Sequence, residues 1–418
     1  MARVLAYTSP TQGHVYPPVD TLVELRRRGH EVHVRTKASE IEQLTALGLE
    51  AAAVDPKLEA IDFDDWRART QIGATLRVLR LYEQHAALEI PDARAAIEQL
   101  RPDVLFVDVQ CEGAGYVAAA SGLPWASYCP YPPAFVSRDT PQHGLGQPPP
   151  RGSLGRARDR FWRAVARALA APAVRRRNTM RAGLALPPIR AYEDQWREPD
   201  RFIAYTAEPY EYARSDWPES VRLVGPGTWD PPLRAPDWLA REQRPIVLVS
   251  ISTAYQRDER LISVALEAFA DEDVALVATT GAADPAGFDV PPNARVEQFL
   301  AHRPLLEKAV CVVCHGGQGT TQKALAAGVP VCAVPFLRDQ FDVARRVEVA
   351  DAGVKLHHNR LNPRRLRAAV RTATGKRAGA ERVARGFAAA GGAPAAADAI
   401  EELLGRPARR DAPGLLRT

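Results

Sequence analysis

The chain has 418 residues, of which 46% are hydrophobic and 25% charged, with a formal net charge of +5. This composition excludes collagen-like, coiled-coil and wholly disordered chains, and the length suits two or three domains with sizeable cores. Only six of the 55 basic residues are lysine, and the basic runs are short: Arg26–Arg28, Arg175–Arg177 and Arg364–Arg365. They read as solvated helix faces, not as the dense patch of a nucleic-acid binder. Five cysteines are too few for a disulfide scaffold. The opening ARVLAY runs straight into a turn and does not read as a secretory leader. The longest uncharged stretch, 113–137, holds Pro124, Pro130, Pro132 and Pro133 and cannot form one spanning helix. The expectation is a cytoplasmic protein with no membrane span.

In chain order, residues 3–8 form an apolar run that ends in the turn SPTQGHVYPP. A helix through 19–28 is closed by Gly29, and EVHVRT (31–36) reads as a strand. DVLFVD (103–108) is a further strand, followed by a helix over 114–121 and a strand over 125–129. Strands alternating with helices predict βαβ units and a parallel sheet covered on both faces. The pattern breaks at a Pro/Gly-rich loop, 137–155, of the kind that is often functional, and a basic helical stretch follows over 156–182. A second Pro-rich passage, 216–240, reads as an interdomain linker. Alternation then restarts: strand 245–252, helix 258–270, strand 274–279, segment 294–300, strand 309–315, helix 319–327 and strand 330–335. The predicted fold is therefore α/β, with two Rossmann-like parallel-sheet domains around one linker. Their spans are 1–215, the linker 216–240, and 241–390. An Ala-rich helix and a fraying tail occupy 391–418.

The strongest chemical signal is His315-Gly316-Gly317-Gln318-Gly319-Thr320-Thr321, set between an apolar strand and a helix. Glycines let a backbone approach an anion, and a helix N-terminus offers unpaired N–H groups and a favourable dipole. This is a diphosphate cradle without the Gly-Lys-Ser/Thr of a P-loop. In the first domain, His14 lies in the turn after the first strand and Asp108 ends another strand, which places both toward the same sheet edge. A histidine held by a carboxylate is a general base. Three other matches read as structural. Gly113-Ala114-Gly115-Tyr116-Val117-Ala118 fits a dinucleotide pattern, but no acidic residue ends the next strand, so small residues packing a helix on a sheet explain it. Cys311 and Cys314 sit inside an apolar run and read as core. Asp62-Phe63-Asp64-Asp65 contains a D-x-D at a helix start, not a strand end, and is not read as a metal site.

The segment QFLAHRPLLEKAVCVVCHGGQGTTQKALAAGVPVCAVPFLRDQ (298–340), together with GHVYP near the N-terminus, resembles the family 1 glycosyltransferases of the GT-B fold, of the bacterial natural-product, macrolide type. The resemblance covers nearly the whole chain, and it implies that the two domains face a central cleft and that 391–418 return to the first domain. It implies an inverting transfer of a sugar from a UDP- or dTDP-sugar to a hydroxyl, or another nucleophile, of a bulky small molecule. His14 then matches the base that deprotonates the acceptor, and Asp108 the carboxylate that steadies it. Phe299 falls where an aromatic stacks on the nucleotide base, and Leu300 where the backbone meets its edge. His315, Gly317, Gly319 and Thr320 fall on the diphosphate cradle, Ser252 and Thr253 on a second phosphate-contacting turn, and Asp339 with Gln340 on the pair that grips sugar hydroxyls. No metal or resident cofactor is implied.

The sequence departs from the family pattern at three places. Ala301-His302 replaces Pro-Gln, Lys323 stands where many relatives have a ribose-binding glutamate, and Ser252 replaces glycine. Trp66, Tyr82, Tyr131, Phe135, Phe161 and Trp162 in regions 63–90 and 131–182 suggest an aromatic or polycyclic acceptor. Two alternatives share the architecture: a nucleotide-sugar 2-epimerase and a non-catalytic activator of such transferases. Retention of His14, Asp108, His315, Asp339 and Gln340 favours the transferase.

Overall fold

The computed structural model describes residues 1–405 apart from Asp62 and Arg69. The expected fraying of 406–418, and the first aspartate of the D-x-D, lie outside the described residues. Among the described residues, thirteen strands form two sheets. The first has seven: β1 (Arg3–Tyr7), β2 (Glu31–Thr36), β3 (Glu50–Ala53), β4 (Val104–Asp108), β5 (Trp125–Cys129), β6 (Arg201–Ala204) and β7 (Val221–Leu223). The second has six: β8 (Ile246–Ser250), β9 (Ala275–Thr279), β10 (Ala294–Glu297), β11 (Ala309–Cys314), β12 (Val331–Ala333) and β13 (Gly353–Lys355). Every pairing in both sheets is parallel. All residues of β4 and β8 are buried, because helices cover both faces, and this is why those strands are apolar throughout.

The strand orders are 3-2-1-4-5-6-7 and 10-9-8-11-12-13. In each sheet the winding direction reverses once, between β1 and β4 and between β8 and β11. At such a reversal the loops that leave the strand ends diverge and open a crevice, where ligands of open α/β sheets bind. The loops after β1 and β4 carry His14 and the residues beyond Asp108. Those after β8 and β11 carry Ser252, Thr253 and His315. The two crevices face each other.

The domain edges differ in detail from the sequence reading. β7 hydrogen-bonds to β6, so the first sheet extends to Leu223, inside the stretch assigned to the linker. The helix Asp237–Arg241 already belongs to the second domain, since Leu239 lies in its core. The helix Gly392–Glu401 packs on the helix Val19–Arg27 of the first domain, with Ala396, Ala399 and Ile400 in a core shared with Leu22 and Leu25. Arg28 fixes it through Asp398 and Glu401, both at 2.6 Å.

Two structural readings need correction. Gly113 packs a helix on a helix, not on the sheet: a β-carbon there would lie 2.3 Å from the Ala86 carbonyl oxygen in the helix Gln71–Leu100. Arg177, read as part of a solvated face, is fully buried and paired with Glu112 at 2.7 and 2.9 Å. Its charge is tolerated there because both guanidinium edges are hydrogen-bonded. Cys311 and Cys314 are wholly buried.

Candidate active site

One cavity of about 470 Å³ runs between the domains and is lined by both crevices. On the first domain, Thr11 to Val15 follow β1, with a one-turn helix over Gln12–Val15 that carries His14. Its Nδ1 lies 2.8 Å from Asp108 Oδ2 at the end of β4. An ionised carboxylate only accepts, so Nδ1–H donates and the Nε2 lone pair is left for a proton from elsewhere. Asp108 is buried behind the imidazole and is itself anchored. Its Oδ2 also accepts from Ser9 N–H at 3.2 Å and lies 3.3 Å from the Tyr128 hydroxyl, while Oδ1 accepts from Gln110 N–H at 2.9 Å. Tyr128 donates to the His14 carbonyl as well, at 3.1 Å.

On the second domain, the turn after β11 leads into the helix Gln318–Ala326, whose first N–H groups open on the cavity. Gly316 has φ 87°, which a side-chain-bearing residue adopts only with strain. Gly317 is needed for a different reason: a β-carbon would stand 2.4 Å from His315 Nε2. His315 is buried, its Nδ1 lies 3.5 Å from the Ser250 carbonyl, and burial pushes its pKa below the usual histidine value. Ser252, Thr253, Phe299, Leu300, Gly319 and Thr320 all line the same cavity, and Phe299 is 38% exposed. A buried hydrogen-bond set holds the turn after β8: Ser252 N–H donates to Asp258 Oδ2 at 2.9 Å, and Gln256 Nε2 donates to the same oxygen at 2.8 Å.

Asp339 and Gln340 differ in their surroundings. Asp339 lines the cavity, and burial raises its pKa above the ordinary carboxylate value. The Gln340 amide is already engaged: Oε1 accepts from the Phe336 and Leu337 N–H groups at 2.8 and 3.0 Å, and Nε2 donates to Gln256 Oε1 at 2.8 Å. Its side chain braces the loop that carries Asp339.

The three departures acquire partners. Lys323 is paired with Asp230 of the linker, and both line the cavity. His302 is half-buried, lies 3.3 Å from Thr279 Oγ1, and desolvation lowers its pKa to about 4. Ser252 accepts from Ala254 N–H at 3.1 Å.

The Pro/Gly loop after β5 crosses the cleft. Gly144 and Gly146 donate backbone N–H groups to Asp342 at 2.5 and 2.9 Å, and His143 lines the cavity. From the D-x-D segment, Asp65 reaches the second domain and forms a two-point pair with Arg338, both bonds 2.7 Å. Asp64 pairs with Arg77. Among the described residues no group of three or more His, Cys, Asp or Glu side chains is disposed to hold a metal ion.

The far end of the cavity is aromatic. Tyr82 and Tyr131 line it, but Phe135 is buried core, Phe161 points to solvent beside Trp162, and Trp66 packs on Tyr255 of the other domain at 5.1 Å. Phe63, Tyr192 and Trp196 line it instead. Tyr192 is fixed by a 2.6 Å bond to Glu112 and by Arg177 above its ring at 4.9 Å.

Residues 263–404 match the model of the erythromycin biosynthesis protein CIII-like C-terminal domain. Over its whole length, 4'-demethylrebeccamycin synthase of Lentzea aerocolonigenes is 35% identical, across 96% of this chain. This chain belongs to the GT-B glycosyltransferases of natural-product pathways. The demethyllactenocin mycarosyltransferase of Streptomyces fradiae is 26% identical over 97% of the chain and 87% of its own length. Among solved structures, the glycotransferase of kitacinnamycin superposes with a TM-score of 0.75 at 24% identity, over 96% of this chain and 99% of that one. VinC, solved with dTDP, superposes with a TM-score of 0.70 at 23% identity, over 97% and 100%. These last two confirm the fold of the glycosyltransferase. No helix among its described residues is long and apolar enough to cross a membrane.

Proposed function

We propose that this glycosyltransferase moves a sugar, with inversion, from a UDP- or dTDP-sugar onto a hydroxyl or other nucleophile of a bulky aromatic natural product. The observation that carries the reading is one cavity with a base-and-carboxylate pair on one wall and an anion-ready helix start on the other. The N–H groups at the start of Gln318–Ala326, His315 and the Thr320 hydroxyl face where a diphosphate leaving group gains charge as the glycosidic C–O bond breaks. His14 Nε2 takes the acceptor proton as the nucleophile attacks from the opposite face, and Asp108 stabilises the imidazolium. One displacement inverts the anomeric centre. Asp339 supports sugar recognition, and no resident cofactor or metal is needed to neutralise the diphosphate. The open aromatic end supports transfer over 2-epimerisation, which needs no second substrate, and the intact His14–Asp108 pair supports an enzyme over a non-catalytic activator. Closure of the domains around both substrates excludes water that would hydrolyse the donor.

The test is incubation with UDP-glucose and a set of dTDP-sugars beside polycyclic aromatic acceptors. Nucleotide diphosphate release is followed, product mass is read by mass spectrometry, and anomeric configuration by NMR. The expected result is a glycoside of inverted configuration. A retained anomer, or sugar epimerisation without acceptor, would overturn the reading.

A further inference from the structure

The aromatic end of the cavity contains two buried polar atoms that the protein leaves unsatisfied. Gln110 and Trp196 both line the cavity, and Gln110 Oε1 and Trp196 Nε1 have no hydrogen-bond partner. Gln110 is 8% exposed. A buried amide oxygen without a donor is costly, and such groups in native structures call for a physical explanation. The other end of the same amide is spent on the Tyr82 hydroxyl, so the side chain is held in place while its oxygen stays unpaired.

Gln110 is tied to the catalytic pair through a single carboxylate. Asp108 Oδ2 holds the His14 imidazole, and Asp108 Oδ1 accepts the Gln110 backbone N–H at 2.9 Å. The proton-accepting nitrogen and the unsatisfied oxygen therefore sit on one rigid frame. The surrounding wall is fixed too, with Tyr131 against His14 at 5.8 Å and Tyr192 bonded to the buried Glu112.

We propose that Gln110 is a specificity-determining residue for the acceptor, and that its Oε1 accepts from a second N–H or O–H group on a flat aromatic molecule whose nucleophile faces His14. The enzyme then favours acceptors with two polar hydrogens, one that reacts and one that anchors. A single-donor aromatic of the same size would bind by ring contacts alone and leave Gln110 unsatisfied. This inference rests on the aromatic-acceptor reading given above.

The test measures binding by calorimetry with UDP present, which needs no matched sugar donor. The probes are 1- and 2-naphthol against a panel of dihydroxynaphthalenes. Wild type is expected to bind at least one diol about tenfold or more tighter than either naphthol, the span of one buried hydrogen bond. Gln110→Met, similar in size but without the acceptor oxygen, should bring that diol down to the naphthol level, so that the ratio of the two affinities falls to about one. Gln110→Glu keeps an acceptor oxygen and should retain the preference, which separates lost recognition from a disturbed fold. No preference in wild type, or a preference that survives Gln110→Met, would overturn the inference while leaving the aromatic pocket intact. If neither naphthols nor diols bind, the aromatic-acceptor reading falls, and this inference with it.

Discussion

Replacing Asp108 by asparagine keeps the shape of the side chain and removes its charge. In the native protein one oxygen faces His14 Nδ1, Ser9 N–H and the Tyr128 hydroxyl, and the other accepts from Gln110 N–H. An amide has one accepting end. If its oxygen stays with His14, its NH₂ group meets the Gln110 N–H, and a buried donor is left unpaired at a cost of about 1–3 kcal/mol. If it turns the other way, the NH₂ group faces His14 and selects the tautomer with Nε2 protonated, which cannot accept a proton from the substrate. In either orientation the carboxylate that stabilised the imidazolium is gone. Turnover should fall by about 10²–10⁴, the usual worth of a general base. The diphosphate cradle is on the other sheet, so affinity for free UDP or dTDP should be unchanged. Stopped assays of nucleotide diphosphate release give the first quantity and titration calorimetry the second. A folded Asp108→Asn protein with wild-type turnover would refute the role assigned to the pair.

Other outcomes follow from particular contacts. Asp339→Ala should cut use of UDP-glucose far more than binding of free UDP, with little change in Tm, whereas Gln340→Ala should lower Tm because it releases two loop N–H groups and Gln256; thermal melts beside donor kinetics distinguish them, and identical behaviour would refute the division of labour. Activity should survive excess EDTA, since the start of Gln318–Ala326 can neutralise the diphosphate and Asp65 is tied to Arg338; loss restored by Mg²⁺ or Mn²⁺ would contradict this. Glu89 is buried, and desolvation pushes its pKa up to about 8 from 4.5. The folded state therefore keeps a proton that the unfolded chain loses, so this group's contribution is full below pH 4.5 and is lost as pH rises through 8. Glu89→Gln, which mimics the protonated acid, should raise Tm relative to wild type more at pH 9 than at pH 5, by an amount corresponding to a few kcal/mol; equal shifts at the two pH values would refute it.

The positions of His14 and Asp108 were legible because both end or follow apolar strands, and in a parallel sheet every strand end points to one edge. The Gly-rich turn before Gln318 was legible for the same reason, with glycines marking where backbone comes close to its neighbours. Asp339 and Gln340 looked alike in sequence, as two polar residues after a strand, and only the loop that folds back over Gln340 separates a free carboxylate from an engaged amide. The aromatic residues were legible by type but not by direction: Phe135 turned into the core, Phe161 to solvent, and Trp196, far along the chain, into the cavity.

By itself the sequence determined what is local. Periodicity set the strands and helices, the second apolar series set the second domain, and short motifs at strand ends set where chemistry could occur. The tertiary structure alone decided what is paired across distance. Asp65 meets Arg338, Asp230 meets Lys323, and the loop at Gly144 meets Asp342, each through contacts between segments about 90 to 270 residues apart. No pattern within one segment encodes such a pair, because each partner alone is an ordinary polar group, and it becomes part of a site only when two independently packed sheets bring their crevices face to face.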